Sequence, residues 1–235
     1  MPNWVKNIIT AKAETINKIK EKYFENDVLS FQKVIPMPDE LNIESSGRGE
    51  QGLMYLFLEN DHGISKETIN KVYRSLNCFH TDIYREERFR AVVENYDKNK
   101  NKFEYNKCVE LAKQYISNYE KYGHAEWYEW CVANWGTKWD ACRVCYDETR
   151  IVFETAWSSP ANILVEISKG LENDEFELQF ADEDFGSDNN GVVRFRNGNV
   201  IEQDLDKGED FVTDVWFNSL TYEEKTPDIV DDMFE

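Results

Sequence analysis

Six residues in this sequence match the spelling of a dinucleotide-binding loop. Gly47-Arg48-Gly49-Glu50-Gln51-Gly52 follows the pattern G-x-G-x-x-G. That loop holds a pyrophosphate only when a strand precedes the glycines and a helix begins after them. Here the sequence predicts a polar loop before the glycines and a strand after them, which favours a flexible loop over a nucleotide site.

Cys142 and Cys145 form a C-x-x-C pair. A zinc site would need a second pair of ligands, and none of the three histidines is suitably placed to supply one. A redox pair prefers a helix N-terminus, where the thiolate is stabilised. The sequence instead predicts both cysteines on one strand, facing opposite ways. Ordinary packing is therefore the favoured interpretation.

Two acidic segments begin like calcium-binding loops: Asp182, Asp184 and Gly186 in one, and Asp204, Asp206 and Gly208 in the other. The bidentate Glu required at the twelfth position is replaced by Val193 and by Val215. Chance cation binding fits this pattern better than a calcium switch. No metal, cofactor or catalytic residue is predicted, and the chain is not expected to be an enzyme.

The elements that would position such residues follow from the hydrophobic pattern. Apolar spacing predicts a strand at Trp4–Thr10 and a helix with Ile16, Ile19 and Tyr23 on one face. The next predictions are a strand at 28–35, a polar loop at 42–52, a strand at 53–58 and a helix capped by Ser65. The clearest helix is Lys107–Glu120.

The later part of the chain is predicted to form mainly strands. Strands are predicted at 139–146, 151–157 and around 176–180, with a short helix opened by Ser159 and Pro160. Asn197-Gly198 is the strongest hairpin signal, because both residues tolerate the positive φ of a type I′ turn.

The composition describes a globular chain. It has 235 residues, of which 41% are hydrophobic and 14% aromatic. No apolar run approaches the roughly 18 residues of a membrane span, and Met1–Thr10 lacks the pattern of a signal peptide. Five irregularly spaced cysteines fit a reducing compartment. The expected location is the cytoplasm of a host cell, without a membrane partner.

The net charge of −19 is unevenly distributed. Residues 171–235 hold 20 acidic against 4 basic side chains, a net charge of −16. Such a surface repels a phosphate backbone and attracts a basic protein surface.

A tryptophan-rich segment, Trp127–Ala141, could stack nucleic-acid bases if its aromatics were exposed. Its cations, Lys138 and Arg143, stand among several carboxylates. Packing in a core is therefore favoured over base stacking.

Four stretches together resemble the YubB-like ferredoxin-fold family of phage and plasmid proteins: Met1–Trp4, Phe31–Pro38, Trp127–Ala141 and Phe153–Pro160. The resemblance spans residues 1 to about 203. It implies a ferredoxin-like C-terminal part and a phage or mobile-element origin, and it implies no activity. The acidic tail lies outside it.

The expected fold is α+β, a ferredoxin-like antiparallel sheet with packed helices. Residues 1–58 and 127–203 are expected to form the core. A helical insertion is expected at 59–126 and an acidic C-terminal extension at 204–235.

The first functional hypothesis is a non-enzymatic, DNA-mimicking inhibitor of a host restriction or CRISPR-type complex. Its partner would be a basic protein or ribonucleoprotein, with no direct nucleic-acid contact. The predicted partner-binding residues are Asp182, Glu183, Asp184, Asp188, Asp204, Asp206, Glu209 and Asp210, with Trp216 and Phe217 as apolar anchors.

The second hypothesis is an accessory module whose ferredoxin-like sheet presents aromatics to nucleic acid. It would require a local basic patch, predicted at Arg85, Arg88, Arg90, Lys98, Lys100 and Lys102.

Overall fold

A computed structural model describes residues 3–59, 63–76, 82–100 and 102–220, with only the backbone for 82–85 and 103. The chain forms two compact units. The sheet unit comprises Met1–Pro36 and Cys131–Glu235, and the helical unit comprises Met37–Trp130.

The described strands are β1 Trp4–Thr10, β2 Phe24–Glu25, β3 Val28–Leu29, β4 Cys142–Tyr146, β5 Arg150–Ala156, β6 Glu175–Asp182, β7 Asn190–Arg196 and β8 Asn199–Leu205. The described helices are α1 Ala13–Tyr23, α2 Phe31–Val34, α3 Gly47–Glu59, α4 Lys66–Leu76, α5 Asp82–Asn99, α6 Phe103–Tyr122, α7 Trp127–Asn134, α8 Ala161–Lys169 and α9 Glu209–Phe217, with a 3₁₀ turn at Asp39–Leu41.

Six of the described strands form one antiparallel sheet in the order β4-β5-β1-β6-β7-β8. The chain order β1-α1-β4-β5-α8-β6, with β1 between β5 and β6, is that of a ferredoxin-like sandwich. The last two strands extend the sheet beyond β6. The predicted α+β class is therefore confirmed.

Strand β1 is the centre of this sheet and is buried on both faces. Val5 and Ile9 are fully buried on one face, and Lys6 and Ile8 are at most 7% exposed on the other. Asn7 lies on the first face and donates hydrogen bonds to Thr155 Oγ1 and the Val5 carbonyl, both at 2.9 Å. Because both faces are covered, the strand buries the polar side chains of Lys6 and Asn7 together with its apolar ones.

The two faces of the sheet are covered by different helices. Helix α9 packs on the face of Ile8 through Val212 and Val215. Helix α2 lies on the opposite face, where Phe31 packs edge-on against Phe153 with ring centroids 6.1 Å apart. Helices α1 and α8 both pack against α2.

The predicted hairpin at Asn197-Gly198 is present between β7 and β8. Asn197 has φ +49° and Gly198 has φ +75°, which are the positive values that a type I′ turn requires.

The strand predicted at 28–35 is wrong beyond Leu29, because the chain turns into helix α2. The Asp140 carboxylate accepts hydrogen bonds from the Phe31 N–H at 2.7 Å and the Ser30 hydroxyl at 3.3 Å. A residue distant in sequence thus accepts a hydrogen bond from a backbone N–H in the first turn of α2, which has no partner within the helix.

The loop predicted at 42–52 is wrong from Gly47 onward, and the strand predicted at 53–58 is wrong, because α3 spans Gly47–Glu59. A short apolar run cannot by itself distinguish a strand from a buried helix. The glycines permit close packing on α6. A Cβ at Gly52 would lie 1.9 Å from the Cys108 carbonyl oxygen, and one at Gly49 would lie 2.1 Å from the Tyr115 ring.

Other expectations for the helical unit are confirmed. Ser65 Oγ accepts a hydrogen bond from the Thr68 N–H at 3.0 Å, as a helix cap should. Helix α6 contains the predicted helix at 107–120. The insertion was expected to begin at residue 59, whereas the helical unit begins at Met37. No helix in the described ranges is long and apolar enough to cross a membrane.

We expect Gly52→Ala to destabilise the protein by about 2 kcal/mol or more, because the new methyl group would meet backbone that cannot move aside. The measurement is the urea unfolding midpoint followed by circular dichroism. Gly47→Ala is the matched control, since its Cβ would meet only the flexible end of Arg88. Equal loss of stability in both variants would contradict this account of the glycines.

Candidate functional site

Two acidic loops lie at one end of the sheet, and a buried asparagine holds them together. The loop 183–189 joins β6 to β7, and the loop 206–208 joins β8 to α9. Asn190, 1% exposed, accepts a hydrogen bond from the Asp206 N–H on its carbonyl at 3.0 Å. Its Oδ1 accepts another from the Lys207 N–H at 2.7 Å. We call this end of the sheet, with its loops and the first turn of α9, the acidic end.

The structure brings seven of the eight predicted carboxylates to the surface of the acidic end: Glu183, Asp184, Asp188, Asp204, Asp206, Glu209 and Asp210. The last two stand in the first turn of α9, where negative charge is favourable. Asp204 is paired with Lys207. Acidic side chains that are spread along the sequence thus share one region.

The eighth carboxylate, Asp182, is not available to a partner. It is 6% exposed and accepts hydrogen bonds from the Asp184 N–H at 2.9 Å and from Asn189 Nδ2 at 3.0 Å. Its role in this structure is to shape the loop.

The two predicted apolar anchors differ in exposure. Phe217 is 71% exposed, and its ring lies 6.0 Å from that of Phe185 in the β6–β7 loop. Trp216 is instead half-buried, with its indole N–H donating to the carbonyls of Ala181 and Asp182 at 3.2 and 3.0 Å. Phe217 remains a candidate contact, whereas Trp216 holds α9 on the sheet.

A buried lysine fastens the C-terminal end of α9. Lys6 Nζ donates to the Trp216 carbonyl at 3.1 Å and to Ser219 Oγ at 3.4 Å, and it lies 4.8 Å from the Trp216 ring centroid. Burial lowers the pKa of the Lys6 ammonium, and the Glu154 carboxylate on the neighbouring strand opposes that shift. A cation is favourable at this end of a helix, whose last carbonyls carry partial negative charge.

Beside the acidic end, aromatic rings and cations alternate in a cluster that we call the tryptophan patch: Trp4, Trp139, Trp157, Lys138 and Arg143. The Trp4 and Trp139 rings are 6.0 Å apart. Lys138 Nζ lies 4.4 Å from the Trp139 centroid and 5.2 Å from that of Trp157. The Arg143 guanidinium lies 4.9 Å from the Trp4 centroid and pairs with Glu154.

Two members of the tryptophan patch have unusual backbone conformations. Arg143 has φ +49°, in the β-bulge of β4, and Trp157 has φ +69°, just after β5. Bulky residues rarely adopt positive φ, and bulges often redirect a side chain at a functional position.

Backbone hydrogen bonds join the patch to the acidic loop. The Trp4 N–H donates to Glu183 Oε1 at 3.0 Å, and the Trp157 carbonyl accepts from Asn189 Nδ2 at 3.0 Å.

Sequence reasoning found only part of this patch. The prediction that these tryptophans pack in a core is correct for Trp130 and Trp135, which are 7% and 5% exposed. It does not describe Trp139, whose ring contacts that of Trp4 on β1 and shares Lys138 with Trp157 at the end of β5. No local signal links Trp4 to Trp157, because it is the pairing of β1 with β5 that places Trp4 beside the end of β5.

Three of the six residues of the predicted basic patch are paired with carboxylates. Arg88 contacts Glu50 at 2.5 Å, Arg90 contacts Glu86 at 3.4 Å and Lys100 contacts Glu59 at 3.6 Å. The side chain of Arg85 lies outside the described residues. These ion pairs neutralise much of the positive charge that a nucleic-acid surface would need.

The C-x-x-C pair lies on one strand, as predicted, but its two side chains do not face opposite ways. The bulge in β4 places Cys142 opposite Glu154 and Cys145 opposite Val152, two residues on one face of β5. Burial, with help from Glu154, raises the pKa of the Cys142 thiol to about 11. Within the described ranges there is no group of three His, Cys, Asp or Glu residues that could hold a metal ion.

A buried carboxylate, Glu126, and a half-buried one, Glu129, lie at the start of α7 in the helical unit. Glu126, 1% exposed, accepts hydrogen bonds from the N–H groups of Tyr128 at 2.7 Å and Glu129 at 3.2 Å. Burial raises the pKa of Glu126, and burial together with the neighbouring Glu126 charge raises that of Glu129 to about 7. Glu126 therefore caps the helix, and both carboxylates titrate above their ordinary range.

The stability of the protein should decrease between about pH 5 and pH 7 because of Glu129. Its pKa in the folded chain, about 7, lies above the ordinary 4.5. The folded chain therefore keeps a proton that the unfolded chain has lost. The resulting loss in the free energy of unfolding is about 3 kcal/mol by pH 8.

Glu129→Gln should reduce this loss, as measured by urea unfolding at pH 5.5 and pH 8. Glu120→Gln, an exposed position on α6, is the control. The assignment fails if both variants keep the pH dependence of the original chain.

The comparisons with known proteins concern the sheet unit most directly. Residues 134–228 match the family model described as the ferredoxin-like domain in Api92-like protein. The match continues past residue 203, where the predicted resemblance ended. It covers less than half of the chain and shows a ferredoxin-like domain, in agreement with the strand order.

A crystal structure of protein api92 from Yersinia pseudotuberculosis is similar to this chain with a TM-score of 0.40 and 9% identity. The similarity covers 87% of this chain and 98% of that one. No curated protein matches this sequence. Membership of the YubB-like family and a phage or plasmid origin stay predictions.

Proposed function

We propose that this protein is a non-enzymatic inhibitor that binds the basic surface of a host nucleic-acid-handling complex through its acidic end. The observation that supports this most directly is the convergence of seven exposed carboxylates on one end of the sheet. Their charges would take the place of nucleic-acid phosphates in a basic groove. A restriction or CRISPR-type complex is the expected class of partner.

The rigidity of the acidic end supports recognition of a defined partner. Asn190 fixes one loop to the other, and Asp182 fixes the turn that carries Asp184. Preorganised loops lose less conformational freedom on binding than mobile loops do. A carboxylate surface that serves solubility alone would not need such fixed positions.

The proposal includes a phage or plasmid origin for the protein and a location in the host cytoplasm. The resemblance to phage and plasmid proteins suggests an element that must resist host defence, inside the cytoplasm of its host. The exposed ring of Phe217, beside Phe185, would supply an apolar contact next to the charges.

The test is a fourfold charge reversal at the acidic end: Asp184→Lys, Asp188→Lys, Asp206→Lys and Asp210→Lys in one chain. Bacterial lysate is passed over the immobilised protein at low and moderate salt, and bound proteins are identified by mass spectrometry. Affinity for the purified partner is then measured directly. We expect the reversal to weaken binding about tenfold or more, mainly through slower association.

The matched control reverses four exposed carboxylates of the helical unit: Glu67→Lys, Glu94→Lys, Glu110→Lys and Glu120→Lys. Both variants change the net charge equally, so only the location of the change differs. The proposed partner should bind the control normally, release at higher salt and be competed by duplex DNA. Equal effects of the two variants, or retention of nucleic acid alone, would remove the inhibitor proposal.

A further inference from the structure

We propose that the tryptophan patch is a binding site for single-stranded nucleic acid, in which the exposed indole of Trp157 stacks on a base. This inference stands apart from the proposed function, because it uses different side chains and a different ligand.

The patch combines the two chemical features that such a ligand requires. Indole rings stack on any base, since every base has a π face. Lys138 and Arg143 lie within about 5 Å of these rings and can meet the adjoining phosphates. The ion pair with Glu154 neutralises part of the Arg143 charge and fixes the guanidinium over the Trp4 ring.

One ring of the patch is exposed to solvent. Trp157 is 41% exposed, whereas Trp4 and Trp139 are half-buried. Large aromatic side chains are usually covered in a folded chain, so an exposed tryptophan beside two others and two cations marks a candidate binding site. The half-buried rings would support the position of Trp157, which offers the most open surface.

The backbone at Trp157 holds the ring in this exposed position. Its φ of +69° is unfavourable for a bulky side chain, and it is maintained by hydrogen bonds on both sides. The Trp157 N–H donates to the Asn3 carbonyl at 2.9 Å, and its own carbonyl accepts from Asn189. Strain of this kind concentrates at ligand-binding positions.

The charge around the patch restricts the ligand to a short single strand. Glu183 and Asp184 stand in the adjoining loop and would repel the second backbone of a duplex. Two cations would contact phosphates. A plot of the logarithm of the binding constant against the logarithm of the salt concentration should therefore have a slope no steeper than about −1.4.

The experiment measures fluorescence anisotropy of fluorescein-labelled six-nucleotide oligothymidylate and oligouridylate with the full chain at low salt. A labelled twelve-base-pair duplex is the comparison. We expect the single strands to bind and the duplex to bind more weakly. Trp157→Ala should weaken binding of the single strands about five- to hundredfold, Trp157→Phe should retain most of it, and Lys138→Ala should reduce the salt dependence.

Ile201→Ala is the control, because Ile201 is an exposed apolar side chain on β8, 49% exposed, that lies outside the patch and is not a proposed partner contact. Circular dichroism establishes that each variant is folded. The proposal is overturned if the original chain binds neither single strand, if duplex binds as well as single strand, or if Trp157→Ala and Ile201→Ala have the same effect. None of these results depends on the acidic end binding a protein partner.

Discussion

The insertion of β1 between β5 and β6 is the constraint on which the sheet unit depends. It pairs Trp4 with Ala156 on one side and Val5 with Asp182 on the other. The N-terminal strand therefore joins two segments that follow it by well over 100 residues. Both candidate surfaces result from this pairing, because it places the start of β1 next to Trp157 and next to the acidic β6–β7 loop.

The same strand also determines which face of the sheet α9 covers. Lys6 extends from β1 to the last turn of α9, where its ammonium meets a carbonyl, a hydroxyl and the Trp216 ring. A buried lysine is costly unless its hydrogen bonds are satisfied. Lys6 lies opposite Glu154 and under α9, so its ammonium finds both a counter-charge and hydrogen-bond acceptors. The contact therefore stabilises the helix on the sheet.

The acidic end and the tryptophan patch are neighbours with opposite chemistry. Hydrogen bonds from Trp4 to Glu183 and from Asn189 to Trp157 hold them side by side. One surface would attract cations and the other would hold bases and a few phosphates.

The sequence alone determined the features that depend on local chemistry: the strand at Trp4–Thr10, the Ser65 cap, the Asn197-Gly198 turn and the acidic C-terminal third. Tertiary structure decided the rest. Helix α3 replaced a predicted strand because Gly49 and Gly52 let it approach α6, and helix α2 formed because Asp140 satisfies its first turn. The tryptophan patch depends on strand pairing and on a bulge at Arg143. Such contacts join residues far apart in the chain, and residue spacing carries information only about near neighbours.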